Sequence, residues 1–554
     1  MKGIWRVRVA REGGDRSCGC LNCVTSAGWT STETEIAQAL VRGAQLDVSD
    51  RAEVARTIRA EMIRDLLLGR SPSGIARDGS PPDPRGLRLR GAMVIGRLDL
   101  DYLSTDIGLE LLDCTIRDGI TAERGRLARL NLNGSTLGHR TANGPALDGD
   151  GLAVTGTLSL EEVHAHSRSS QSTINLRGGH IGGELMLSGA TITNDSGPAL
   201  RADNLKVDQY ARFDEGFTAT GQGETGAIQL GEGHIGGPLI FQRATITNES
   251  GPALDADRLI VDSGAFFDEG FTVIGHGEAG AIKLRGGHIG GPLSFRGATM
   301  TNESGPALVA DVLTVEQNAY FDEGLTVVGH GPSGAVRLSG VVIKGRLSID
   351  ISHVRSLSTT THQLVVDGMI YRDLAGTSWD AWLELLATAT PAYAAQPYRQ
   401  LAAITTAAGH DSDTRQVLMR QRRDQLSRAG LKRRDILWGR FTGFTLGYGY
   451  QAWRALVALL IVTLATALLM ALPIGASGLS VKDHPDKQCS TSDRVVLGID
   501  TALPLVTTPV GTTCVPRMTA SGQVITGAGV TAQILGWAFA TLFVAGFTSA
   551  VRKT

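Results

Sequence analysis

The chain has 554 residues, a formal net charge of -2, 42% hydrophobic residues and 5% aromatic ones, enough for three or four domains unless one repetitive domain absorbs much of the length. Its 70 glycines are spread through apolar, regularly patterned sequence, which excludes collagen and wholesale disorder. Balanced charge excludes a general attraction to phosphate backbones, so no nucleic acid partner is expected, and 45 arginines against 8 lysines suggest a GC-rich bacterial genome.

Residues 1–31 read as a disordered leader, because no apolar core follows the charged first ten residues as a secretory signal would require. Cys18, Cys20 and Cys23 form C-x-C-x-x-C there. Three close thiols could contribute to a zinc or iron–sulfur site, but no fourth ligand stands at the right spacing, and unliganded thiols are the plainer reading. Residues 32–85 form an expected helical cap. Its centre is Arg51 to Gly69, with Val54, Ile58, Met62, Ile63, Leu66 and Leu67 at helical spacing and Gly69 as a stop.

From 86 to 372 the pattern is that of a parallel, right-handed β-helix solenoid, so the fold class is mainly β. A period of 54 residues holds over three copies, 173–226, 227–280 and 281–334. GHIGG recurs at Gly179, Gly233 and Gly287, TNxSGPAL from Thr193, Thr247 and Thr301, and FDEG from Phe213, Phe267 and Phe321. Each unit divides into halves of 26 and 28 residues with period-two apolar stretches, enough for one coil of three short strands and their corners. Ile174, Ile228 and Ile282 would form one inner column and Leu176, Leu230 and Leu284 another, with Lys283 and Ser294 outward. Looser copies on both sides suggest about eleven coils, or ~50 Å at the ~4.8 Å strand spacing.

The repeated polar residues are the tempting sites: Asp214, Asp268 and Asp322; Glu215, Glu269 and Glu323; His180, His234 and His288. Matching positions lie two coils apart, ~9.6 Å, too far to share one ion. They read as solvated corner residues, and Asn194, Asn248 and Asn302 as turn residues tolerant of left-handed geometry. No catalytic residue, metal site or cofactor site is therefore expected. A polysaccharide-cleaving enzyme would need a local carboxylate pair or a calcium–arginine cluster, not an even repeat.

Residues 373–437 follow as a helical hairpin, with helices expected at 378–387, 398–408 and 413–428, and a basic linker. Residues 438–454 read as an interfacial helix: Trp438, Phe441, Tyr448, Trp453 and Arg454, with Phe444 and Tyr450, set rings among arginines as the headgroup zone favours. Transmembrane helices are expected at 455–475 and 529–551, since each uncharged run can cross ~30 Å of hydrocarbon. Nine basic residues lie between Arg415 and Arg440. The intervening loop, 476–528, is balanced, so the loop is expected outside and both ends in the cytoplasm of a bacterial plasma membrane. Cys489 and Cys514, both in that loop, would form a permitted disulfide. The apolar stretch 495–510 is too short to span; it either re-enters the membrane or packs on its surface. Gly447-Tyr448-Gly449 resembles a potassium filter triplet, but it precedes the first membrane helix, whereas a filter lies between helices.

Together RTIRAEMIRDLLLG (Arg56 to Gly69), LRLRGAMVIGRLDL, the HIGGPL coils, PYRQLAAITTAAGHD (Pro397 to Asp411) and LGIDTALPLV (Leu497 to Val506) resemble a group of large actinobacterial membrane proteins often labelled membrane-associated oxidoreductases. The resemblance covers nearly everything after about residue 32 and implies the same architecture and a plasma-membrane location. The label implies an oxidoreductase, yet no nucleotide, flavin, haem or quinone motif is visible. The residues themselves favour a binding, scaffold or sensor protein. Its expected partners are the lipid bilayer, an unidentified protein or polymer, and a second copy of the chain through the membrane helices. A channel-like oligomer is the remaining alternative.

Overall fold

The structure is a computed structural model that describes residues 28–70, 82–138, 143–330, 334–350, 354–356, 364–482, 484, 486–503, 508 and 513–551. Most of the leader with Cys18, Cys20 and Cys23, residues 504–507, 509 and 510 of the apolar loop stretch, and Arg552 and Lys553 lie outside the described residues. The chain divides into two compact units at Pro391.

The first unit opens with helix Ser31–Arg42, started by a capping box in which Thr30 Oγ1 accepts from the Glu33 N–H at 3.2 Å while Glu33 Oε2 accepts from the Thr30 N–H at 2.9 Å. Strand Gln45–Asp47 then pairs in parallel with Leu87–Arg90. The single helix expected over Arg51 to Gly69 is not formed. Instead Glu53–Arg56 makes one helical turn, Thr57–Arg59 is a strand paired with Met93–Ile95, and only Ala60–Leu67 continues as helix. The reason is tertiary: the first coil needs an edge partner, and Ile58 is fully buried in that strand while Val54 stays exposed. Glu33, wholly buried, also receives Arg59 Nε at 2.9 Å and Nη2 at 2.7 Å, which ties the cap helix to the edge strand.

Beyond the cap runs a parallel β-solenoid built from sheets of 21, 12 and 11 strands. Each coil carries four short strands, not three. One coil consists of Ile174–Asn175, His180–Ile181, Leu185–Met186 and Thr191–Asn194, and the next begins at Leu200. The largest sheet holds two strand columns, joined where Val342–Ile349 pairs with both Thr314–Val315 and Ala319–Phe321. Glycine-marked corners split the apolar run more finely than period-two counting resolves, because two-residue strands show no alternation of their own.

The expected inner columns are present. Ile174, Ile228 and Ile282 are fully buried and alternate with Leu200, Leu254 and Leu308; Leu176, Leu230 and Leu284 are buried as well. A further column is aromatic: Phe213, Phe241, Phe267, Phe295 and Phe321 stack with centroids 4.6, 5.3, 4.9 and 5.4 Å apart. Ser294, expected outward, is buried in register between Phe266 and Tyr320 of the adjoining coils. Lys283 faces out but is mostly covered, bridging Asp255 at 2.5 Å and Asp257 at 3.3 Å. The last coil is closed by helix Trp379–Thr388, whose buried Trp382 meets Tyr371 edge-on, and the Leu364 N–H donates to the Ala389 carbonyl at 3.0 Å.

The second unit is helical. Gln396–Ala407 and Asp411–Arg428 form a hairpin across Gly409, held by a hydrogen bond from the Tyr398 hydroxyl to Asp424 Oδ2 at 2.8 Å. The interfacial segment differs from the expected 438–454: its helix runs Arg433–Leu446 and stops at Gly447, whose φ of 53° is left-handed and C-caps it. Trp453 and Arg454 instead open the long apolar helix Trp453–Ala471, which ends earlier than 475 because extended Leu472 precedes Pro473. The last helix, Ala520–Val551, starts nine residues before the expected 529.

Two outcomes follow for stability. Ile282→Asp should destabilise the solenoid by several kcal/mol, because an inward carboxylate has no partner there; near-wild-type protease resistance of the full chain would contradict the inward placement. Burial disfavours ionised Glu33, but the Arg59 guanidinium together with the Thr30 and Arg59 N–H groups outweighs it and holds the carboxyl below its ordinary value of 4.5. A carboxyl lowered by folding stabilises fully above its unfolded value and less as pH falls through the folded one. The stability difference between wild type and Arg59→Ala, roughly 1.5–3 kcal/mol at pH 7 for hydrogen bonds to a charged group, should therefore shrink below about pH 4.5, as read by acid unfolding curves.

Candidate functional site

The repeated polar residues of the solenoid occupy two settings, neither of them a ligand shell. The histidines stand on the exposed face of one ladder, in the order His180, Lys206, His234, Ile260, His288, Thr314. His180 Nε2 lies 2.9 Å from Asp208 Oδ2 and His234 Nε2 2.9 Å from Asp262 Oδ2, each bridging to the following coil. Hydrogen bonds from His180 and then Lys206 hold the Asp208 carboxyl below its usual range. Among the described residues no group of three or more His, Cys, Asp or Glu side chains could hold a metal ion.

The aspartates of FDEG are not uniformly solvated corners, which corrects the sequence reading. Asp214 is buried, accepts the Ser188 hydroxyl of the preceding coil, and lies 3.0 Å from Arg212 Nη2. Asp322 is likewise buried, accepting Ser348 Oγ and Arg296 Nε, the latter at 2.8 Å. In the middle copy Gln242 and Phe266 replace Ser188 and Arg212, and Asp268 Oδ1 is buried with no partner. The following glutamates, Glu215, Glu269 and Glu323, are exposed with φ of 51, 51 and 48°, a left-handed conformation that L-residues adopt at a cost of roughly 1–2 kcal/mol.

The repeated asparagines also depart from expectation. They are not left-handed turn residues but buried ends of strands. Asn194 Nδ2 donates to the Ser169 and Pro198 carbonyls at 2.9 and 2.8 Å, and Asn302 to Gly277 and Pro306 at 2.8 and 2.6 Å. These side chains satisfy the buried backbone beneath the TNxSGPAL loops. Along those loops runs an open groove of about 740 Å³ lined by Ser170, Ser196, Arg201, Asp203, Gln222 and Gln229, among others.

In the second unit, two helices among the described residues are long and apolar enough to cross a membrane, Trp453–Ala471 and Ala520–Thr548. Only 28% and 17% of their apolar windows are buried, leaving Leu456, Leu460, Ile461, Leu464 and Leu468 exposed on one and Ile534, Trp537, Val544 and Phe547 on the other. Buried core helices of a soluble domain would hide these faces. Helix Arg433–Leu446 exposes Leu437, Trp438, Phe441 and Phe444, with the Trp438 and Phe441 rings stacked at 5.7 Å. Trp453 and Arg454 are exposed at the start of the next helix. Tyr448, expected among the surface rings, is half-buried instead.

The loop between the apolar helices is a small folded element. Cys489 and Cys514 are joined by a disulfide with Cα atoms 6.3 Å apart, packed with Met470, Leu479 and Ile525. Of the apolar stretch 495–510, the first part is helical within Thr491–Ala502. That helix packs on the first apolar helix so closely that a Cβ on Gly498 would lie 2.6 Å from Ala467 Cα. Arg494, buried beside it, gives a hydrogen bond to Thr491 Oγ1 at 2.9 Å and reaches the Ala471 carbonyl at 3.5 Å. Asp500 Oδ2 accepts the Thr508 N–H at 2.9 Å, while its Oδ1 is buried without a partner. The sequence signal missed here was the small residue Gly498 among Val495, Val496, Leu497 and Ile499. In the solenoid, buried Cys114 has its thiol pushed up to about 12 by burial, which keeps it protonated and unreactive.

Removing Asp214 should leave Arg212 and Ser188 without their acceptor, so Asp214→Ala should cost about 2 kcal/mol, whereas Asp268→Ala, which removes an unpartnered buried oxygen, should be neutral or stabilising. Chemical denaturation of the two full-length variants decides it, and equal losses would contradict the assignment. Chelator should leave both melting curves unchanged. Comparison of the chain with protein-family models, with curated proteins and with solved structures finds no match.

Proposed function

We propose that the protein is a membrane-anchored scaffold: a rigid β-solenoid held at the bacterial plasma membrane by two spanning helices, binding an extended protein or polymer along its repetitive face. The observation that carries the reading is the exposed apolar face of both long helices, which lipid would cover. Arginines before the first helix and the ringed, exposed face of helix Arg433–Leu446 support a topology with both termini cytoplasmic and the disulfide loop outside. Stacked coils of this kind offer long, regular surfaces suited to extended partners, and the polar groove along the TNxSGPAL loops is one such surface.

A second reading, a channel-like oligomer, is favoured by one observation: helix Thr491–Ala502 lies tight against the first apolar helix with Asp500 on it, and a carboxylate at membrane depth is a functional candidate by default. Conductance across liposomes, abolished by Asp500→Asn, would establish that reading in place of the scaffold. The oxidoreductase implied by the family resemblance predicts visible absorbance or bound metal in the purified chain, and a colourless, metal-free preparation would count against it.

On intact cells, an impermeant thiol reagent should label Cys489 and Cys514 only after reduction. Labelling before reduction would contradict the bridge, and no labelling after reduction would contradict the outward loop.

A further inference from the structure

Within the second unit lies a cleft of about 480 Å³ whose lining includes Arg399, Arg422, Tyr448, Tyr450, Leu446 and Gly546. It joins two chemistries. Arg399 and Arg422 are exposed; Arg422 gives one N–H to Gln425 Oε1 at 2.7 Å, and the Arg399 guanidinium has no partner among the described residues. Among the described residues no carboxylate lines the cleft, and Arg399 and Arg422 are its two cationic side chains. The apolar wall is the final stretch of the second long helix at Ala545 and Gly546. Gly546 is buried there, packed so closely that an added Cβ would lie 3.0 Å from Ala452 Cβ and 3.4 Å from Leu446 Cδ2, while Ala545 is exposed.

Tyr448 shapes the polar side. Its backbone sits at φ 59°, ψ 24°, an uncommon conformation for a residue with a side chain. Its ring lies against Gly443, where an added Cβ would stand 2.6 Å from a ring carbon. A strained residue whose ring needs a glycine beneath it fits a wall built for a ligand.

We propose that this cleft binds the headgroup phosphate of an anionic phospholipid, in the leaflet where the second apolar helix ends. Arg399 and Arg422 take the phosphodiester oxygens through their multiple N–H donors, and the acyl chains descend beside Leu446 and the apolar helix. Two arginines of the helical hairpin facing a cleft that also meets the second long apolar helix suit a lipid better than a soluble anion, because the ligand's charge and its apolar chains meet the two walls together. This inference rests on the membrane-anchored reading.

The test uses the full chain in detergent, with lipid binding measured by native mass spectrometry against short-chain phosphatidylglycerol, phosphatidylcholine and inorganic phosphate. Phosphatidylglycerol should bind at least tenfold more tightly than phosphatidylcholine. The double variant Arg399→Gln, Arg422→Gln should lose that preference, while Arg440→Gln, an exposed arginine outside the cleft, should keep it. Equal affinity for the two lipids, an unaffected double variant, or an equal loss in the Arg440 variant would overturn the site. Phosphate binding as tight as phosphatidylglycerol would overturn the lipid assignment. Flotation with vesicles separates the two levels: a chain that does not float refutes the membrane reading and this site with it, whereas one that floats without headgroup preference refutes the site alone.

Discussion

Vertical register of the coils is the constraint on which the first unit depends. Each inward side chain must sit above its counterpart one coil earlier, because a shift of one residue along a strand would turn the apolar set outward. Yet successive steps differ in length: Ile174 to Leu200 is 26 residues and Leu200 to Ile228 is 28. The two extra residues therefore have to be absorbed outside the strands. One goes into the FDEG corner, since Leu185 and Thr191 are six positions apart whereas Ala211 and Thr218 are seven. The other goes into the following corner, since Thr191 to Leu200 is nine and Thr218 to Ile228 is ten.

This gives the acidic motif a structural role in the longer corner. The longer corner turns through two left-handed residues in succession, Glu215 at φ 51° and Gly216 at φ 88°, where the shorter one has only Gly189 at φ 67°. A wider corner would leave space over the core, and Asp214 fills it by accepting from a serine of the preceding coil and from Arg212. The Asn residues do the same for the TNxSGPAL loop by occupying its carbonyls from inside. Where these buried polar groups are paired, as at Asp214 and Asn194, they favour one register over its alternatives, and the apolar and phenylalanine columns supply the burial that stabilises it.

The second unit follows a different pattern. Its long helices expose leucine, isoleucine, valine and phenylalanine over faces that water would penalise. Its polar contacts gather at the helix ends: Arg494 near the last turn of one helix, the disulfide beside it, and the arginine cleft where the other helix finishes. The scaffold reading and the lipid site both draw on this separation of apolar flank from polar end.

Much of this was legible in the residues alone. A 54-residue period with apolar residues at matching positions implies stacked coils whatever the details, and uncharged runs of spanning length announce themselves by composition. Local pattern could not decide the rest. Arg51 to Gly69 has helical spacing, but Thr57–Arg59 is a strand because an open sheet edge lies beside it. Four strands per coil, the burial of Asp214 and Asn194, and the placing of Tyr448 in a cleft wall all depend on neighbours a coil away, as Ser188 is from Asp214 and Ser169 from Asn194, or on another helix, as with Gly546. The sequence by itself determined the repeat, the inward columns and the two long apolar helices, because those follow from the periodicity of single residues. Only the tertiary structure decided which polar side chains are buried and paired, because pairing is a property of two residues brought together by the coil.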